Sequence, residues 1–497
     1  MRLLVRNNTL QRTVPVFGAI LMVFSLTMAV PLALSRWMSD GAEGSFWPVL
    51  LASFFSGLVL RLLGPVRQPM PELQVRDGML LVSMCWTLLP LAASGPLLLY
   101  FFDIGHPISF TWAYFEAMSA LTTTGATVFS GLDHLPASIN FWRCFLQWLG
   151  GMGILVLAVA ILPMLGVGGG QLFRAESTGP MKDTKLTPRI KETAKGLWSV
   201  YCVMSLMCVT AYWWGGMQPL DAWLHMFSTM SLGGLSSHDA SFGYFQSPLL
   251  EWVAIVFMTV ACGNFSLYFL VHYRHSIKPV LHDDEWRGSM LLLTGSSVVI
   301  AGLLAFKGFS DLSLDTLRMV LFNVISVAST TGYSTTDYTL WPIFAPILMI
   351  MLSGMASSAG STGSGIKMIR VLILIKQASR EMTRIIHPRA INPVSIGGGN
   401  ISSSTIFAVL AFMLVYGTTV LGITFAFLLS DLTIEVALGA ALAGVNNLGP
   451  ALGPVGPAGN FSVFTDFQLW VYTFAMLLGR LEILTFIVLF TPGFWRK

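Results

Sequence analysis

Ten long apolar stretches recur along the chain, near residues 14–34, 46–63, 78–101, 138–165, 197–215, 249–272, 289–306, 341–376, 404–429 and 467–491. A helix rises 1.5 Å per residue, so about 20 apolar residues cross the roughly 30 Å hydrocarbon core of a bilayer. A chain built this way folds as an all-α polytopic membrane protein. Composition excludes the alternatives. Charged residues make up 10% and hydrophobic ones 54%, whereas a soluble domain carries about 25% charged residues. That deficit excludes an ordinary soluble enzyme and a disordered chain, and a net charge of +4 is no footprint for nucleic acid. Cys85, Cys144, Cys202, Cys208 and Cys262 sit in apolar runs without metal spacing and read as core residues. The first run, after Arg2, Arg6 and Arg12, is too long for a signal-peptide core and reads as a transmembrane helix.

Four shorter apolar stretches lie between the long ones, near 110–124, 221–233, 315–331 and 433–447. Helices this short cannot cross the bilayer, so they predict re-entrant segments, which need protein or a water-filled cavity around their non-helical backbone. With the N- and C-termini cytoplasmic, most of the 28 Lys and Arg fall on the inner face, notably Lys182 to Lys195 and Arg370 to Arg389. The outer loops then hold mostly acids, among them Asp40, Asp103, Asp133, Asp221, Asp239 and Asp337, which concentrate cations.

The short stretches end on a repeated motif: TTTGAT, SLGGLS, STTGYS and NNLGPA, anchored on Gly125, Gly234, Gly332 and Gly449. The anchors recur roughly every 100 residues, the mark of an internal repeat. Six positions before them stand Ser119, Ser228, Ser326 and Ala443; nine positions before stand Glu116, His225, Asn323 and Ala440. The unit is helix, re-entrant loop, helix, used four times around a central pore. The division is an N-terminal helix pair (1–70) and pore repeats at 71–170, 171–280, 281–392 and 393–497.

A cation leaving water needs oxygen ligands, and rings of backbone carbonyls supply them in selectivity filters. Glycine turns neighbouring carbonyls inward without steric cost. The predicted filter comprises Thr123, Thr124 and Gly125; Leu232, Gly233 and Gly234; Thr330, Thr331 and Gly332; and Asn447, Leu448 and Gly449. Leu232 and Leu448 carry no hydroxyl, which favours backbone coordination. Ser119, Ser228 and Ser326 are expected to pack or bond back within their own helices, and Glu116 to orient its loop.

The run 341–376 contains GMASSAGSTGSG, residues 354–365. Each glycine costs a helix about 1 kcal/mol relative to alanine, so the helix should break there. Gly354, Ser357, Ser358, Gly360, Ser361, Gly363 and Gly365 are the candidate gate. Ile366 intervenes before Lys367, which rules out a nucleotide-binding P-loop. Arg480 lies midway in the last apolar run. An arginine at that depth is costly and should face protein or water, so it is expected to latch the gate loop.

The four filter motifs resemble those of the membrane subunits of Trk-type bacterial potassium uptake systems, within the wider Trk/Ktr/HKT superfamily. The segment from Gly168 to Trp198, the stretch GLSSHDASFGYF and the tail NNLGPALGPVGP are similar too. The resemblance implies inner-membrane uptake of potassium, with no organic cofactor in this chain. It also implies a homodimer docked on a cytosolic nucleotide-binding (TrkA-like) regulatory subunit. Glycine at the first anchor, Gly125, implies potassium over sodium. Proton or sodium symport against channel-like flow stays open. The alternatives are a sodium or mixed conductor of the same fold and, remotely, an intramembrane enzyme; no HExxH, GxSxG or paired-Asp motif supports the latter.

Overall fold

The computed structural model describes residues 8–63, 74–161, 190–390 and 392–495. The basic stretch Arg174 to Arg189, and Arg2, Arg6, Arg67, Arg496 and Lys497, lie outside the described residues. The first apolar run divides at Met28 into α1 (Asn8–Thr27) and α2 (Ala29–Met38), and α3 (Glu43–Leu62) returns beside α1. Two glycines let these backbones meet: a Cβ on Gly18 would stand 2.6 Å from the Gly57 carbonyl oxygen, and one on Gly57 2.7 Å from that of Gly18. Close packing through small residues drives helix association in lipid. Gly18→Val should therefore lower stability by about 1–3 kcal/mol, the usual cost of overpacking, read as a lower melting temperature in detergent.

Four units follow. α4 (Val75–Asp103), the pore helix α5 (Phe110–Leu121) and α6 (Ala137–Ile161) form the first; α7 (Ile190–Trp214), the pore helix α8 (Pro219–Met230), α9 (Pro248–Cys262) and α10 (Phe265–Arg274) the second. The third holds α11 (Asp284–Phe306), the pore helix α12 (Leu314–Ala328), α13 (Phe344–Leu352) and α14 (Met368–Ile386). A two-residue hairpin, Ser395–Ile396 against Gly399–Asn400, leads to the fourth: α15 (Ser403–Leu428), the pore helix α16 (Ile434–Asn446), α17 (Asp466–Arg480) and α18 (Leu484–Ile487). Pore helices start where the sequence caps them: Ser109 and Ser313 accept from the amides of Trp112 and Thr316, and Pro219 opens α8. Among the described residues, six helices are long and apolar enough to cross a bilayer, and two bent pairs qualify together.

Those bent pairs differ from the single runs that hydropathy predicts at 249–272 and 467–491. α9 and α10 meet at 94°, and α17 and the segment Leu484–Phe490 at 105°. At the first bend Asn264 caps α10 by accepting from Ser266, while the Phe265 amide donates to the carbonyl of Gly360. At the second, Glu482 and Ile483 take positive φ, 52° and 25°. Tertiary contacts stop both helices.

Candidate functional site

All four pore helices end the same way. The amides of Thr124, Gly233, Thr331 and Leu448 donate to carbonyls five residues back, those of Ser119, Ser228, Ser326 and Ala443, at 2.8–2.9 Å. This is a Schellman closure, which needs a left-handed residue just past the helix. The residues in that conformation are Thr123, Leu232, Thr330 and Asn447, with φ of 54°, 54°, 67° and 53°. Left-handed Thr and Leu are strained and persist only where surroundings impose them. Two positions later Gly125, Gly234 and Gly332 also have positive φ, 83°, 72° and 87°. Gly449 does not, and its need for glycine is steric.

The glycines close a ring. A side chain on Gly125 would run into the carbonyl of Gly233; one on Gly234, into that of Thr331. One on Gly332 would stand 2.9 Å from Pro450 Cδ, and one on Gly449 2.7 Å from the carbonyl group of Gly125. Each segment thus fills the space its neighbour's glycine leaves, from the first repeat round to the fourth and back. All four anchors line one cavity of about 80 Å³, shared with Arg143, His238 and Asp239. The predicted filter residues Thr123, Thr124, Leu232, Thr330, Thr331, Asn447 and Leu448 are buried. The Thr124 and Thr331 hydroxyls are engaged with those of Thr122 and Ser329, each at 2.8 Å.

Second helices brace the ring from behind. Gln147 donates to the Gly233 carbonyl at 2.6 Å and accepts from the Leu235 amide. Tyr472 donates to the carbonyls of Leu448 and Gly449, and Asn447 donates to Thr124 Oγ1 and the Met476 carbonyl. Sequence reasoning missed Gln147 and Tyr472, whose signal is a lone polar group in an apolar run. Of the serines six before the anchors, Ser119 and Ser228 are buried within their pore helices, and Ser326 departs from the expected bond back. Ser326 donates forward to the Tyr333 carbonyl, and Ser119 and Ser228 find no partner among the described residues.

The residues nine before the anchors tie down the chain that leaves the ring. Glu116 accepts from Thr127 Oγ1 and the Val128 amide, and Arg143 donates to it at 2.7 Å, both side chains fully buried. Arg143 was not singled out by sequence. It also reaches Thr127 Oγ1, Asn140 and, at 3.5 Å, the Ser236 carbonyl of the second repeat. His225 Nδ1 faces the Asp221 carbonyl, which can only accept, so Nε2 accepts from Ser236 Oγ at 3.0 Å. Asn323 donates to Thr335 Oγ1 and accepts from its amide. Ala440 and Ala451 make no such strap.

At one mouth of the ring His238 joins the first two repeats. It hydrogen-bonds Asp133, stands 3.4 Å from Asp221 and stacks on Tyr244. Asp239 accepts from the Leu132 amide alongside, and His225 lies beneath. Burial disfavours charged His238, yet contacts with Asp221 and Asp133 outweigh it and raise its pKa. Burial likewise works against ionised Asp133, and the His238 hydrogen bond brings its pKa below normal. The clamp is therefore fully present below the ordinary histidine pKa of about 6.5 and is lost as pH rises through the raised value. At the acid end it is lost as pH falls through the lowered value of Asp133. Hydrogen exchange of residues 131–135, corrected for intrinsic rates, should lose protection above neutral pH, and His238→Ala should abolish that dependence.

Beneath the ring, residues 353–367 form an irregular buried loop between α13 and α14. Protein groups satisfy its backbone. The Gly354 amide donates to Ala328, Ser358 to Cys262, and Ala359 to Glu285; Asn446 donates to the Ser353 carbonyl. Thr362 Oγ1 donates to the Met230 carbonyl, and Gly363 lies against Leu232. Ser357, Ser358, Ser361 and Ser364 are buried in it, as expected only where non-helical backbone is shielded from lipid. Gly354, Gly360 and Gly365 take positive φ, and Gly354 and Gly365 pack backbone to backbone. Arg480 reaches the loop from α17, donating to the Thr362 carbonyl at 3.2 Å and Ser364 Oγ at 3.0 Å, and to the Gly150 carbonyl of α6 at 3.1 Å. Glu482, just beyond, pairs with Lys367 and Arg370 at the loop's far end.

Four helix–loop–helix units around a glycine-walled constriction, with an extra N-terminal helix pair, define a pseudo-fourfold membrane transport protein. The chain belongs to the TrkH family, described as cation transport proteins, whose model matches residues 53–497. It is 42% identical to the Trk system potassium uptake protein TrkH of Vibrio parahaemolyticus over 97% of this chain and 98% of that one. It is 39% identical to TrkH of Escherichia coli K12, again over 97% and 98%, and 33% to TrkG of the same strain, over 97% of each. The crystal structure of the potassium transporter TrkH from Vibrio parahaemolyticus superposes with a TM-score of 0.89 at 38% identity, covering 98% and 99% of the two chains.

Proposed function

We propose that this chain is the ion-conducting subunit of a potassium uptake system and carries K+ inward across a bacterial inner membrane, with both termini cytoplasmic. The observation that carries this reading is the closed ring of Gly125, Gly234, Gly332 and Gly449. Backbone carbonyls of the four segments from Thr123, Leu232, Thr330 and Asn447 to the anchors replace the ion's water. The C-terminal ends of four pore helices add negative potential there. Loop 353–367 is the gate, with Gly354, Ser357, Ser358, Gly360, Ser361, Gly363 and Gly365 giving it freedom and Arg480 holding it shut. A homodimer and a cytosolic nucleotide-binding subunit complete the reading; the basic stretch Arg370 to Arg389, on and just beyond α14, suits docking of that subunit. The relatives named as Trk potassium uptake proteins support the choice of ion.

The test is rubidium uptake by liposomes holding the purified protein and a potassium gradient, with sodium and lithium as competitors. Competition by potassium and not by sodium supports the reading. Equal passage of sodium overturns it in favour of a mixed conductor.

A further inference from the structure

The four segments of the ring are held unequally. In the first repeat the strap behind the filter is a buried ion pair: Glu116, locked to Arg143, holds Thr127 and the Val128 amide. In the second and third it is neutral, His225 to Ser236 and Asn323 to Thr335. In the fourth both positions are alanine, and the Ala451 amide instead donates to the Val455 carbonyl within its own loop. Tethers to charged groups are stronger than neutral ones, so the first segment is the stiffest. It is also the one whose anchor abuts the Gly233 carbonyl, and Arg143 extends the same tether to Ser236 of the second repeat.

Resting on the proposed conduction of potassium, we propose that Glu116, Arg143 and Thr127 are positioning residues that prevent the first filter segment from closing around a smaller cation. None of the three is a ligand. Carbonyls that coordinate a potassium-sized ion must move inward to coordinate sodium, and a filter that can follow the smaller ion loses its discrimination. The strap acts two residues beyond Gly125, where inward movement of the segment would pull Thr127 away from Glu116.

Thr127→Val tests this while leaving Glu116 and Arg143 paired, so no buried charge is stranded. Glu116→Gln, which keeps the shape and removes the charge, is the second variant. In the liposome assay the expected result is that sodium inhibits rubidium uptake several-fold more strongly in both variants, with uptake in the absence of sodium retained. Thr127→Ser, which keeps the hydroxyl, restores the wild-type ratio. An unchanged ratio in Thr127→Val, at wild-type yield and monodispersity, overturns the inference. Should Glu116→Gln fail to fold, Thr127→Val decides alone. If wild-type protein itself passes sodium and rubidium equally, the proposed function fails, and with it the discrimination that the strap is proposed to protect.

Discussion

Arg480→Ala should raise basal rubidium flux through the reconstituted protein by about tenfold or more, because the loop proposed as the gate loses its main hold. The guanidinium donates to Thr362, Ser364 and Gly150, and so joins the third, first and fourth repeats at one point. No ion pair to it occurs among the described residues, so these neutral acceptors and the face of Trp86, 5.3 Å away, are what its charge is spent on. A hydrogen bond to a charged group contributes about 1.5–3 kcal/mol, and 1.4 kcal/mol shifts a closed-to-open ratio tenfold. Losing one such bond from the closed state alone accounts for the effect. The substitution also removes a positive charge from below the filter, which favours cation entry in the same direction. Arg480→Lys should fall between, since an ammonium keeps the charge without the planar fork that spans the loop and α6. Unchanged flux in Arg480→Ala, with protein of normal size-exclusion profile, would sink the latch.

The large-scale organisation is written plainly in the chain because hydropathy and glycine are local signals. Long apolar runs give the helices, and glycine at matching positions after four short runs gives the ring. The interruption at residues 353–367 is legible for the same reason, since glycine and serine are poor helix formers wherever they stand. The bends at Asn264 and at Glu482–Ile483 are not. Glu and Ile carry no turn signal, and Glu482 is held by Lys367 at the end of the loop and by Arg370 on α14. The left-handed residues before the filter, Leu232 among them, hide in the same way. Arg143 illustrates a third limit. Its charge is visible in sequence, but Glu116 lies on another helix, and helical spacing pairs only residues three or four apart.

Gly125→Ser should weaken the proposed discrimination between rubidium and sodium about tenfold, and of the single changes considered it acts most directly on the ring. Two costs combine at this position. The backbone has φ of 83°, where an L-residue is strained by roughly 1–2 kcal/mol. The added Cβ also meets the Gly233 carbonyl, whose carbon would lie only 3.1 Å away and whose oxygen nearer still. That carbonyl cannot swing aside freely, because Gln147 holds it at 2.6 Å. Either the first segment retreats from the axis or the second one rotates, and both change the distance at which carbonyls meet the ion. The expected result is a sodium-to-rubidium competition ratio raised by about tenfold, the equivalent of 1.4 kcal/mol in relative binding. Gly449→Ala separates the two costs. Its φ is not positive, and its Cβ would press on Gly125 at 2.7 Å, so a similar loss of selectivity there points to ring geometry and not to local strain. A Gly125→Ser protein that folds and keeps the wild-type ratio would show that the first and second segments do not set the ion's coordination distance.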